Sequence, residues 1–126
     1  STLSITLPSG RKLYYHQAGV EGRGRDVRFS YLSPRYGLRR EWAGGLLTEN
    51  VTQAIARDIL AHGWRLADAQ GLVIVGSVHD EIIVESPLLT AEQDLVILEK
   101  CMSVTPLWAP GLPLASDSRI RERFTK

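Results

Sequence analysis

At 126 residues, 44% hydrophobic and 23% charged, the chain has the ordinary make-up of a globular protein and is long enough for one domain with a real core. No apolar run approaches the roughly 20 residues of a membrane helix, no leader pattern is visible, and the single cysteine, Cys101, excludes an internal disulfide or a cysteine metal cluster. The net charge of +1 hides an asymmetry: residues 1–45 carry +5 and residues 46–126 carry −4. A basic half beside a carboxylate-bearing half suits a surface that meets phosphates and also holds cations. A solvated arginine-rich loop region would give the same count. The default setting is cytoplasmic, with no membrane partner.

Residues 3–7 alternate apolar and polar side chains, Pro8-Ser9-Gly10 is a turn signal, and residues 11–16 bring Leu13, Tyr14 and Tyr15. This predicts a hairpin, with Arg11 and Lys12 just after its turn. Residues 19–24 read as a glycine-rich loop and 27–32 as a third short strand with Val27, Phe29 and Tyr31 on one side. Residues 34–45 read as irregular, because Pro34, Gly37, Gly44 and Gly45 interrupt any element.

A helix is predicted over about 47–69, with Val51, Ile55, Ile59, His62 and Leu66 as its apolar stripe. Glu49, Gln53 and Arg57 share a polar face, Thr48 is a candidate N-cap, and Gly71 ends the segment. Residues 72–86 then read LVIVGSVHDEIIVES. Two runs rich in β-branched residues flank His79-Asp80-Glu81, which predicts a β-hairpin with the charged triplet at or near its tip. Both runs are nearly continuous in apolar residues, so the strands are expected to be covered on both faces. Thr90 with Gln93 has the form of a capping box opening a second helix, with Leu95, Leu98 and Met102 as its stripe and Cys101 as a small core residue. Pro106 ends that helix, residues 108–113 are turn-rich, 112–114 could begin an edge strand, and a basic tail closes the sequence. The order predicts an α+β fold, an antiparallel sheet with helices packed on one face, in a single domain.

The chemistry centres on Asp80. A hard cation such as Mg²⁺ takes a few carboxylate oxygens and leaves room for water and phosphate. Two such ions can clamp an in-line phosphoryl displacement, which needs a second anchoring carboxylate. Glu81 is adjacent, so in an extended strand it points to the opposite face and can share the site only if the turn re-aims it. His79 is a candidate for a nucleic-acid backbone contact or simply a turn residue. Gln53 is a candidate for a minor-groove contact, where a glutamine reads base-pair shape more than sequence, or a solvated helix residue. There is no strand–loop–helix phosphate motif and no nucleophile elbow.

Residues 44–58, GGLLTENVTQAIARD, followed about 20 residues later by Val78-His79-Asp80-Glu81, resemble the C-terminal palm of family A DNA polymerases, in the bacteriophage and prophage branch. Leu7-Pro8-Ser9-Gly10-Arg11 and residues 108–114 (WAPGLPL) are similar to the same branch. The resemblance implies that Asp80 is the motif C aspartate that binds catalytic metal, with Glu81 its acidic neighbour. It implies that His79 lies near the primer terminus and that Gln53 contacts the minor groove of the primer–template end. Arg11, Lys12 and Arg57 join the expected nucleic-acid surface. Leu46 departs from the lysine common after Gly-Gly in this branch. Motifs A and B are absent from these residues, so the expectation is a palm fragment of a larger polymerase, with residues 121–126 resembling its C-terminus. Such a fragment would be inactive alone, completing a two-Mg²⁺ site with a carboxylate from the rest of the polymerase chain. The expected partners are primer–template DNA and deoxynucleoside triphosphates, with self-association of the isolated piece through exposed apolar surface. The alternatives are a degenerate, non-enzymatic palm that binds nucleic acid or protein, and a metal-dependent hydrolase that would need His16 or His62 near Asp80.

Overall fold

The computed structural model describes residues 1–125 except 34, 36, 38 and 43, with residues 39–42 described by their backbone alone. The elements run β1 (Thr2–Thr6), β2 (Lys12–Glu21), a 3₁₀ turn (Gly24–Asp26), β3 (Arg28–Leu32), β4 (Arg39–Trp42), α1 (Gly44–Ala69), β5 (Val73–Val78), β6 (Glu81–Glu85) and α2 (Ala91–Met102). The α+β class is the one expected, but the strands form two antiparallel sheets, one of four strands and one of two. The chain divides into two compact units, Ser1–Ile55 and Ala56–Lys126.

The first unit is a meander in the order β1-β2-β3-β4. The Pro8-Ser9-Gly10 turn forms as expected, closed by Leu7 N–H to Arg11 O at 2.8 Å and Gly10 N–H to Leu7 O at 2.9 Å. Strand alternation sorts the side chains. Leu3 opposes Tyr15 and Ile5 opposes Leu13 on one face, while Ser4 opposes Tyr14 and Thr6 opposes Lys12 on the other. Tyr15 is buried and meets Phe29 and Tyr31 edge-on at centroid distances of 5.5 and 5.2 Å, the favoured geometry for aromatic pairs. A register shift between His16 and Gly19 lets β2 run on through Glu21, where a loop was expected. The turn that follows needs Gly22: its φ is +89°, and a Cβ there would collide with the carbonyl oxygen of Asp26.

β4 corrects the irregular reading of residues 34–45. It pairs with β3 from Phe29↔Trp42 to Leu32↔Arg39. Its residues show no apolar alternation, so only the neighbouring strand's unpaired backbone groups dictate it. Gly44 and Gly45 lie in the first turn of α1 rather than before it. Thr48 is therefore inside the helix, its hydroxyl bonding back to Gly44 O at 3.2 Å, as mid-helix threonines do. Within this unit α1 is tied to the sheet by two long-range bonds. Asn50 Nδ2 donates to Tyr15 Oη at 2.5 Å, and Arg11 Nη2 donates to Ala54 O at 3.0 Å.

In the second unit, the β5–β6 hairpin lays Leu72, Ile74 and Val84 against Leu66 and Ala67 of α1 and Ile97, Leu98 and Cys101 of α2. Leu60, Gly63 and Ala67 are the buried positions of α1, while the stripe read from the sequence is only half-buried. The helices approach closely at Gly63, where a Cβ would lie 2.8 Å from Met102 Sδ and 3.3 Å from Met102 Cα. Cys101 is buried, as expected. The hairpin is not covered on both faces: Val73 is 59% and Val75 57% exposed. A two-stranded sheet packed on helices has one buried face, and strand alternation puts Val73 and Val75 on the other. Thr90 is the N-cap of α2 but makes no capping box. Its hydroxyl lies 3.4 Å from both Pro87 O and Asp94 Oδ2, and Asp94 is also bonded by Ser86 Oγ. Residues 112–114 form no strand. Instead the segment is pinned by side chains, through Thr105 Oγ1 to Leu112 O at 2.8 Å and Ser118 N–H to Glu99 Oε1 at 3.1 Å.

Candidate functional site

The hairpin tip is built as the β-branched pattern requires. β5 ends at Val78, which pairs with Glu81, so His79 and Asp80 are the two turn residues. A two-residue connection matches the right-handed twist of its strands only if φ is positive at one or both central positions. The strain falls on His79, at φ +53°, and not on Asp80. Glycine is the usual occupant of such a position, so a histidine there points to a role for its side chain.

His79, Asp80 and Glu81 are all exposed. No side chain of the three makes a hydrogen bond or ion pair among the described residues, so both carboxylates have all their oxygens available. Asp80 stands in the turn and Glu81 opens β6, so the two adjacent carboxylates project from a rigid two-stranded base. Among the described residues no group of three or more His, Cys, Asp or Glu side chains could hold a metal. The tip still fits the share a protein contributes to a Mg²⁺ site, one or two carboxylates with water and substrate phosphate completing the shell. The hydrolase alternative finds no ligand cluster to support it. A shallow depression of about 400 Å³, lined by Val73, Glu85, Ser86 and Pro87, lies at the opposite end of the hairpin from this chemistry.

In the first unit, Gln53 and Glu49 are exposed one turn apart on α1, and Gln53 Nε2 donates to Glu49 Oε1 at 3.2 Å. That bond uses one amide hydrogen and leaves the other to a ligand. Lys12 is exposed at the start of β2. Arg11, beside it, also binds the helix backbone at Ala54, so its guanidinium has a structural task. In the second unit, Arg57 is exposed on α1 one turn beyond Gln53. Asn50 lies in the segment that carries the resemblance, but its link to Tyr15 was not foreseen. The two residues are 35 apart in sequence, and no local pattern marks the pairing.

The DNA polymerase of Bacillus phage SP02 is 36% identical to this chain over 132 aligned positions, which cover 98% of this chain. The chain spans 20% of the length of that curated relative. No family model and no solved structure matches the chain.

Proposed function

We propose that this chain is part of a template-directed DNA polymerase, the C-terminal palm region of a family A enzyme, and that its β5–β6 tip carries a metal-binding carboxylate of the nucleotidyl-transfer site. The observation that carries the reading is the strained, exposed His79–Asp80 turn in a chain similar along nearly its whole length to a phage DNA polymerase.

In this reading Asp80 offers carboxylate oxygens from a turn that its strands hold rigid, and Glu81 offers a second pair that the site can use for metal or for water. Mg²⁺ held by Asp80, with Glu81 beside it, would supply charge neutralisation at the reacting phosphates of nucleotidyl transfer. Gln53 presents its second amide hydrogen to minor-groove acceptors, checking pair shape at the primer end. Lys12 and Arg57 neutralise backbone phosphates, with Arg11 contributing whatever its bond to Ala54 leaves available. His79 stands beside the primer terminus. The remaining metal ligands, the fingers and the nucleotide-gripping side chains come from the rest of the polymerase.

The test is Asp80→Ala in the full-length protein. Primer extension is expected to fall by roughly 10²- to 10³-fold, the scale of a lost principal electrostatic group, while primer–template affinity changes less than about threefold. Retained synthesis would remove Asp80 from the mechanism. DNA binding without synthesis in the unaltered full-length protein would instead favour a palm that only binds.

A further inference from the structure

One face of the first hairpin sets Lys12 among five residues that have no part in the nucleic-acid contacts above. The pairs Thr2/His16, Ser4/Tyr14 and Thr6/Lys12 lie directly opposite one another across β1 and β2, so these six side chains share one side of the sheet. All six are exposed, and Tyr14 is 57% exposed. The alternate positions Leu13 and Tyr15 turn the other way, and Tyr15 enters the aromatic packing. The outer face is thus a polar sheet surface with a single aromatic ring at its centre. It carries Lys12 and His16 and no carboxylate among the six, in a segment whose residues 1–45 sum to +5. Lys12 and His16 lie about 13 Å apart on the same strand, flanking Tyr14 on both sides. The Thr2 hydroxyl lies 3.4 Å from His16 Nδ1, which orients that ring.

We propose that this face binds single-stranded nucleic acid, with a base stacked on Tyr14, phosphates met by Lys12 and His16, and the hydroxyls of Thr2, Ser4 and Thr6 beside the strand. The class of ligand follows from the chemistry. An exposed ring flanked by Lys12 and His16 offers a face on which any unpaired base can stack, and a base paired inside a duplex cannot use it. The positive charge of the segment supplies the sequence-independent attraction. In a polymerase the strand would be unpaired template. The inference rests on the polymerase reading for that assignment alone, because binding itself needs no catalysis.

The test uses fluorescence anisotropy of a fluorescein-labelled oligothymidylate with the protein, against a blunt duplex of the same length. Tyr14→Ala should weaken oligothymidylate binding roughly 5- to 100-fold, the range for loss of one stacked base, and Tyr14→Phe should leave it within about twofold. Lys12→Gln should lower the slope of log affinity against log salt by about 0.7. Ser4→Glu, which sets a negative charge opposite Tyr14 at an exposed site, should weaken binding while thermal unfolding stays unchanged. Unaltered oligothymidylate affinity in Tyr14→Ala, or an equal loss of duplex affinity in that variant, would overturn the proposal. Asp80→Ala is expected to leave oligothymidylate affinity unchanged, so loss of this reading and loss of the catalytic one appear in different variants.

Discussion

His79 occupies a position whose φ of +53° costs a non-glycine residue about 1–2 kcal/mol. Glycine would relieve that strain but would add roughly 0.5–1 kcal/mol of unfolded-chain entropy to be overcome. The balance predicts that His79→Gly raises stability by about 0.5 kcal/mol, read as a higher urea midpoint. If the side chain meets the primer end, the same variant lowers primer extension, so stability and activity move in opposite directions. A fall in stability would show that the histidine ring supports the turn itself. The Asn50–Tyr15 bond gives a second residue-level prediction. Tyr15→Phe keeps the ring packing against Phe29 and Tyr31 and removes one hydrogen-bond partner from half-buried Asn50. A loss of about 1 kcal/mol in chemical denaturation is expected. The charged triplet was legible because it interrupts two apolar runs. Its turn geometry was not, since a histidine does not advertise positive φ as Asn-Gly would.

Elements with a strong internal period were the legible ones. The 3.6-residue pattern located α1 and α2, and β-branched runs located β5 and β6. The same signals failed where context overrides them. β4 has no period of its own and exists because β3 presents a free edge. The expected last strand at 112–114 is replaced by a bond from the Thr105 hydroxyl to Leu112 O and, further on, one from Ser118 N–H to the Glu99 carboxylate. The Thr90 box is replaced because Asp94 takes the hydroxyls of Ser86 and Thr90. The half-buried stripe of α1 shows the limit of hydropathy. Its closest contact runs through small Gly63, which a hydrophobic count passes over. Gly63→Ala gains about 1 kcal/mol of helix propensity, but its Cβ presses Met102, whose sulfur can swing aside while its Cα, 3.3 Å away, cannot move far. The two effects predict a change of less than about 1 kcal/mol. Gly63→Val adds two methyl groups to a contact already closed and should destabilise by roughly 1–3 kcal/mol. Urea denaturation of both variants checks the pair. An equal effect of Ala and Val would mean the helices separate freely at this point.

At the scale of the whole molecule, the two units carry complementary equipment. The first brings Arg11, Lys12, Gln53 and the polar sheet face, and the second brings Arg57 and the carboxylate tip. The tip supplies two adjacent acids, and among the described residues no third metal-ligating group joins them. A two-ion phosphoryl-transfer site needs carboxylates from more than one strand to hold both the attacking and the leaving oxygen. The second unit also leaves apolar surface open, with Val73 and Val75 on the outer face of the hairpin and Leu88 and Leu89 more than four-fifths exposed beside it. An exposed apolar patch on a rigid element marks a surface made for contact. The chain accounts for only a fifth of the phage polymerase it is similar to. Together these facts predict that the purified 126-residue chain incorporates no deoxynucleotide on a primed template with Mg²⁺. The full-length protein, at equal concentration, is expected to extend the primer. A gel-based extension assay separates the two, with Asp80→Ala in the full-length protein as the blank. Extension by the short chain above that blank would mean that Asp80 and Glu81 suffice for the metal chemistry. The remaining ligands would then have to come from the DNA and nucleotide phosphates rather than from further polypeptide.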